Sequence, residues 1–237
     1  MTMTQTEAAP ERSVPGARAA ASPGWDRLLQ QVALVIGRLG LAYVFFSGLW
    51  WKLPPTFGCR NNFAFPMANA EGRPDVQGST GLCYWLGLET VYAPQPRKVL
   101  IADLQYAGGQ QLGVDISPLA QLNAVFLENV VKPNIRVFGY LIWGAELTIF
   151  LTMFLGLFTR LGGLVAIGIA AQLYIGLANI PSPYEWEWSY GQMLLLAVLM
   201  LGLAPGRVLG LDALLRPRLA AAAARGSRLA RLVHLLT

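Results

Sequence analysis

The sequence predicts an all-α integral membrane protein, a four-helix bundle with a long extracytoplasmic loop between its first and second helices. Three observations carry that expectation. Hydrophobic residues make up 54% of the chain against 13% charged, and the mean hydropathy is +0.45, a balance outside that of ordinary soluble domains. Four segments, 28–51, 135–158, 161–180 and 184–204, are apolar over about the 20 residues that cross a bilayer. The arginines crowd some of the stretches between them and avoid others.

Residues 1–27 are rich in Ala, Pro, Thr and Arg and contain no apolar h-region. They read as a disordered tail rather than a cleaved signal peptide, and the first span as an uncleaved anchor. Residues 52–134 follow. Up to Gln111 this link is dense in Gly, Pro, Asn and Asp and reads as irregular loop, of a length that suggests function or packing against a partner. From Ser117 the pattern changes. Ser117 as N-cap with Pro118 at the first helical position starts a helix, and Leu119, Leu122, Phe126 and Val130 recur at helical spacing until Lys132-Pro133 stops it. The segment 117–132 is thus an amphipathic helix, lying on the outer membrane surface or packed in an outer domain. The second and third spans are joined by a very short link carrying Arg160. The fourth begins among Glu185, Trp186, Glu187, Trp188 and Tyr190, a mixture suited to the headgroup level. Ala204-Pro205-Gly206-Arg207 ends it. The stretch 219–236, with Arg225, Arg228 and Arg231 at every third residue, reads as a basic amphipathic helix in a basic tail, 205–237.

Arg12, Arg18 and Arg27 precede the first span, and six arginines from Arg207 to Arg231 follow the fourth; the link after the third has none. By the positive-inside tendency both termini face the cytoplasm of a cell whose inner membrane holds the chain. The net charge of +5 therefore belongs to tails beside anionic membrane lipids and is no signal for nucleic acid. Cys59 and Cys83 then lie outside, where they can pair; a redox dithiol is the alternative, although the usual C-x-x-C spacing is absent.

Two charges sit deep in apolar spans: Arg38 in the first and Glu146 in the second. An isolated charge at mid-membrane costs several kcal/mol, roughly 3 on insertion scales, so each needs a partner or a function. Counted from the inner helix ends at about 1.5 Å per residue, Arg38 lies roughly 15 Å deep and Glu146 roughly 18 Å. The expectation is one paired site. Three readings of it stay open: an ion pair that fixes helix register; a quinone or proton site in which Glu146 exchanges a proton and Arg38 holds an oxygen; and a binding site for lipid or another subunit. Gln172 is a further polar group inside a span. Lys52, Trp50, Trp186 and Tyr190 ring the outer ends, as an aromatic belt or as a frame for the headgroup of a hydrophobic substrate such as quinone.

The single histidine, His234, lies beyond the last span, which excludes a haem held by axial histidines in the bundle and a His-rich metal site. There is no metal-ligand motif, no Gly-rich phosphate loop and no sign of a covalently bound cofactor. An electron carrier used by this chain is either quinone or another subunit.

Arg38-Leu39-Gly40 running to Ser47-Gly48 and Lys52, Glu146 running to Leu155-Gly156-Leu157-Phe158-Thr159-Arg160, and the closing Ala204-Pro205-Gly206-Arg207 with Leu211-Asp212 together resemble the DoxX/DoxD family of small four-helix membrane proteins. The resemblance implies a membrane subunit of a quinone-linked oxidoreductase, of the thiosulfate–quinone type in the DoxD branch. By position in those motifs, Arg38, Lys52, Glu146 and Arg160 carry over as family residues. The competing class is a non-catalytic structural or assembly subunit of a larger respiratory or photosynthetic membrane complex. Either way the partners implied are other membrane or extracytoplasmic subunits, with a homo-oligomer left open.

Overall fold

The computed structural model describes residues 24–75, 78–104, 110–181 and 187–237; the expected tail up to residue 23, and Trp186, lie outside them. The chain is mostly helical. In order come α1 (Gly24–Leu49), which tightens into a 3-10 turn at Trp50–Lys52, a two-residue ladder of β1 (Met67–Ala68) and β2 (Pro74–Asp75), and α2 (Gly81–Tyr92). A hairpin of β3 (Lys98–Leu104) and β4 (Gln110–Asp115) leads into α3 (Ser117–Phe126). Then follow α4 (Ile135–Leu155), α5 (Thr159–Leu177), α6 (Glu187–Leu203), α7 (Leu211–Ala224) and α8 (Arg228–Leu235). Three stretches, Gly24–Lys52, Ser117–Leu155 and Thr159–Leu177, are long and apolar enough to cross a membrane, and α6 is a shorter apolar helix of 17 residues.

The helices α1, α4, α5 and α6 pack side by side. In α1 the buried positions Arg38, Leu41, Ala42, Phe45 and Leu49 form one stripe at helical spacing, which Lys52 extends. Leu41, Ala42 and Phe45 meet Ile149 and Met153 of α4, Ala166 of α5, and Ala197 and Met200 of α6 in one core. The outward faces carry large apolar side chains instead of charges, among them Tyr43, Tyr140, Leu164 and Leu195. That inversion of the soluble pattern is what a lipid solvent selects.

The link between α1 and α4 differs from the irregular loop expected up to Gln111. It folds into a cap built from α2, the hairpin and α3. Leu82, Cys83 and Leu86 of α2 are buried against Phe57, Cys59, Leu127, Val131 and Ile135, so apolar burial supplies the order that loop composition concealed. Two antiparallel ladders, Met67–Ala68 with Pro74–Asp75 and β3 with β4, add strand to a chain expected to be all-α. Cys59 and Cys83 form a disulfide. It closes a loop of a size for which such a bond contributes about 3 kcal/mol.

Ser117 does begin α3, but its hydroxyl does not cap it: Oγ accepts from the Arg97 N–H (2.8 Å) and donates to Asp115 (2.5 Å). The expected stop at Lys132-Pro133 is softened as well. The helix runs on through a π turn at Leu127–Val131 and a 3-10 turn at Lys132–Asn134 into α4. The C-terminal helix expected over 219–236 is instead two helices, α7 and α8, broken at Gly226, whose φ of 95° lies in the region that favours glycine.

The cap is seated on α4 at Gly139. A Cβ there would overlap the ring of Phe57, which is fully buried. Gly139→Leu should therefore unseat Phe57 and lower stability by about 1–3 kcal/mol, as overpacked cores do. Thermal unfolding of the detergent-solubilised chain measures it; an unchanged midpoint would show that the cap does not depend on this contact.

Candidate functional site

Glu146 and Lys52 form a buried ion pair where α4 and the end of α1 meet the cap. The carboxylate Oε1 accepts directly from Lys52 Nζ, and the two residues are 4% and 7% exposed. Lys52 Nζ also lies 4.4 Å above the ring of Trp51, whose other neighbour is Trp85 of α2, with ring centroids 5.7 Å apart. Such a cation–π contact contributes about 1–2 kcal/mol where water is excluded. The second carboxylate oxygen, Glu146 Oε2, is buried and has no hydrogen-bond partner among the described residues. Beside it lies Gly48, at which a Cβ would stand 3.5 Å from Oε2. Trp143, one helical turn before Glu146, packs into the cap core and likewise leaves its Nε1 buried and without a partner. An unsatisfied carboxylate oxygen and an indole N–H on adjacent turns of α4 leave hydrogen-bonding capacity unused at this junction.

The pair expected between Arg38 and Glu146 is not formed. α1 and α4 run antiparallel: Lys52 meets Glu146, Phe46 meets Phe150 with ring centroids 4.9 Å apart, and Arg38 lies against Gly156. Arg38 is therefore about 20 Å along the helix from the level of Glu146. The depth count fails because α1 starts at Gly24 and its first ten residues, 24–33, are exposed, extending past the end of α4.

Arg38 belongs instead to a joint at the opposite end of the helices. Its guanidinium donates to the carbonyl oxygens of Val208 (3.4 Å) and Leu209 (3.2 Å), near enough to Asp212 for the charges to attract. Asp212, fully buried, closes the start of α5. Oδ1 accepts from Phe158 N (2.7 Å), and Oδ2 accepts from Thr159 N (3.0 Å) and Thr159 Oγ1 (2.8 Å). A carboxylate there satisfies free helix-end donors and complements the dipole. The backbone N–H of Asp212 returns a hydrogen bond to Gly156 O at 2.8 Å.

A second buried carboxylate was not anticipated. Glu89 of α2, 2% exposed, accepts through Oε2 from Asn123 of α3 (2.6 Å) and Gln172 of α5 (2.7 Å), while Oε1 has no partner among the described residues. Arg97 lies nearby, its guanidinium donating to the carbonyls of Ile175 (3.0 Å), Gly176 and Tyr92 (3.2 Å). Burial pushes the Glu89 carboxyl up from 4.5 to about 7, against the opposing pull of Gln172, Asn123 and Arg97. Gln172 is thus engaged by Glu89 rather than by the Lys52–Glu146 pair. The signal available in sequence was the lone acid in the apolar run Leu82–Tyr92.

The outer aromatics divide. Trp50 is 61% exposed and rests edge-on against Phe46, facing away from the core. Tyr190 is buried with Leu88, Tyr92, Leu177 and Ile180 and borders a cleft of about 400 Å³ between α1 and α6. A wider groove of about 780 Å³ lies between the hairpin and α5–α6. There Glu187 accepts from Leu100 N (2.6 Å), Tyr174 Oη (2.9 Å) and Asn179 Nδ2 (2.8 Å), which ties the hairpin to the helices. No group of three His, Cys, Asp or Glu able to hold a metal occurs among the described residues.

The sequence profile of a family described as TQO small subunit DoxD matches residues 85–234, more than half of the 237-residue chain. The chain belongs to the DoxD family. No curated protein and no solved structure matches it significantly. The matched part of this DoxD protein holds Glu89, Glu146, Thr159, Arg160 and Asp212, whereas Arg38, Lys52 and the disulfide precede it. One half of the buried ion pair thus comes from the matched segment and the other from the helix before it.

Glu89 gives this DoxD protein a definite pH response. Below 4.5 the carboxyl is protonated in both folded and unfolded chains; between 4.5 and about 7 the folded chain keeps a proton that the unfolded chain has released. Stability from this group is therefore full below 4.5 and lost as pH rises toward 7. The unfolding midpoint of the wild type should fall across that window more steeply than that of Glu89→Gln. Parallel pH profiles for the two proteins would contradict the assignment.

Proposed function

We propose that this DoxD protein is the quinone-facing membrane subunit of a thiosulfate–quinone type oxidoreductase in a bacterial inner membrane. In this reading α1, α4, α5 and α6 cross the bilayer as a four-helix bundle and residues 53–134 form the extracytoplasmic cap. Both ends are cytoplasmic, in keeping with Arg160, Arg207, Arg216 and Arg218 gathering at the end of the helices away from the cap. A partner subunit outside, docked on the cap, passes on electrons taken from the sulfur substrate.

The observation that carries the reading is the Lys52–Glu146 pair, buried where helices and cap meet with one carboxylate oxygen unspent. A quinone bound there is the electron acceptor, taking up two electrons and two protons. Lys52 keeps two further N–H donors beyond the one given to Glu146, suited to a ketone oxygen. Glu146 is the proton-exchanging group: its free Oε2 takes up a proton and passes it to a quinone oxygen, once for each of the two protons, and returns each time to the carboxylate paired with Lys52. The Trp51 ring, backed by Trp85, lies over the ammonium. Arg38, held at the far joint, positions α1 against the α4–α5 turn and does no chemistry. Trp50 anchors the outer end of α1 at the membrane interface.

A second reading is favoured by the closeness of the pair itself. Lys52 and Glu146 neutralise each other directly, which is all that a register-fixing ion pair requires, and the chain is then a structural subunit of a larger membrane complex.

Glu146→Gln separates the two. It is expected to lower thiosulfate-dependent quinone reduction by about 100-fold or more, the usual worth of a positioned acid–base group. Assembly of the complex on native gels should be unchanged. Wild-type rates in an assembled Glu146→Gln complex would contradict the catalytic reading and leave the structural one.

A further inference from the structure

The end of the molecule opposite the cap gathers three guanidinium groups. Arg160 starts α5, Arg207 lies in the 3-10 turn Pro205–Arg207, and Arg216 is on α7. Arg207 is repelled by both of the others, and Asp212, whose charge attracts it, already holds the start of α5. Oxygens at the end of α8 take up part of their donors: Arg207 donates to Thr237 O (2.8 Å), and Arg160 to Leu235 O (3.4 Å) and, through its backbone N–H, to Leu236 O (3.2 Å). Yet the Nε of Arg160, of Arg207 and of Arg216 are each buried with no hydrogen-bond partner among the described residues. Three unmet donors on mutually repelling cations call for an anion.

Space for one is at hand. Arg207, Arg216 and His234 line a groove of about 450 Å³ between the turn, α7 and α8, with Ala213, Pro217 and Ala220 as its apolar wall. His234 also borders a neighbouring groove of about 540 Å³ that holds Arg228 and Arg231. Alongside, Leu209, Leu214, Leu229, Leu232 and Leu235 are all more than 60% exposed. Ala230, on the other side of α8, is buried. Arginines beside a leucine-lined surface match the two halves of an anionic amphiphile, whereas a free anion gives the leucines no reason to be bare.

We infer that the groove formed by Arg207, Arg216 and His234 binds the phosphate headgroup of an anionic phospholipid, with the leucines of α7 and α8 set among its acyl chains. Arg207 and Arg216 hold the phosphate oxygens. The site stands apart from the Lys52–Glu146 pair and does not depend on the reading given to that pair.

The test uses the full chain in nanodiscs of phosphatidylglycerol and phosphatidylcholine in equal amounts, followed by extraction into mild detergent and native mass spectrometry of the retained lipid. The wild type should keep phosphatidylglycerol in about tenfold preference, as expected where each arginine at a membrane surface attracts anionic lipid. R207Q/R216Q should lose the preference, while R218Q/R225Q, which removes as much charge outside the groove, should keep it. Because the first variant removes buried groups, A220W provides a second arm: it fills the groove with both arginines in place and should also abolish the preference. Equal retention of the two lipids by the wild type, or undiminished preference in A220W, would overturn the inference. So would saturable binding of inorganic phosphate that needs Arg207 and Arg216 when phosphatidylglycerol shows no enrichment.

Discussion

A charge carried on an apolar helix must be met at its own level, because neither lipid nor a packed core offers water to solvate it. In this protein that constraint acts at two levels of the first long helix, the middle of α1 and the 3-10 turn that ends it. At one level Lys52 is matched by Glu146 of α4; at the other Arg38 is matched by the carbonyls of Val208 and Leu209 and by the field of Asp212. Between these two anchors the helix–helix contact is apolar, with Leu41, Ala42 and Phe45 against Ile149 and Met153. Sliding α1 by one turn along α4 would strand both cations. The register of the helices, and with it the seat of the cap, follows from these matches.

The two anchors have different chemical character. The Arg38–Asp212 end is saturated on the acidic side: both Asp212 oxygens accept from the start of α5. It reads as a joint that holds α1, the α4–α5 turn and the start of α7 together, and it accounts for why Thr159 and Asp212 fall in one motif set. The Lys52–Glu146 end leaves one carboxylate oxygen unspent and sits beneath a cap closed by a disulfide, with the Trp51 indole against Lys52. A group that is buried, charged and incompletely bonded is the kind that function retains at the expense of stability.

Much of this was legible in the sequence, for physical reasons. Hydropathy located the apolar helices to within a few residues, since lipid exposure requires apolar side chains all round. The two cysteines paired as their expected compartment allows. Glu146 and Lys52 both stand out in the sequence, but hydropathy depth pairs Glu146 with Arg38, because an apolar run begins well before the point where α1 first meets α4. Asp212 could not be matched to Arg38 by any local pattern: 174 positions separate them, and Asp212 stands only in the closing motif after the helix stop. Glu89 escaped notice because Gly and Pro on either side made its segment look like loop. Its neighbours Leu82, Cys83, Leu86 and Leu88 are nonetheless buried, and their burial makes the segment helix.

The central claim is that Glu146 exchanges a proton with a bound quinone. The most direct measurement is the infrared difference spectrum of the purified protein on adding quinone and then reducing it, in the carboxyl stretching region. The account predicts a carboxyl band that changes with quinone reduction and vanishes in Glu146→Gln while helical content is preserved. The same carboxyl bands in wild type and Glu146→Gln would contradict it, and would leave the buried pair as a lock on helix register.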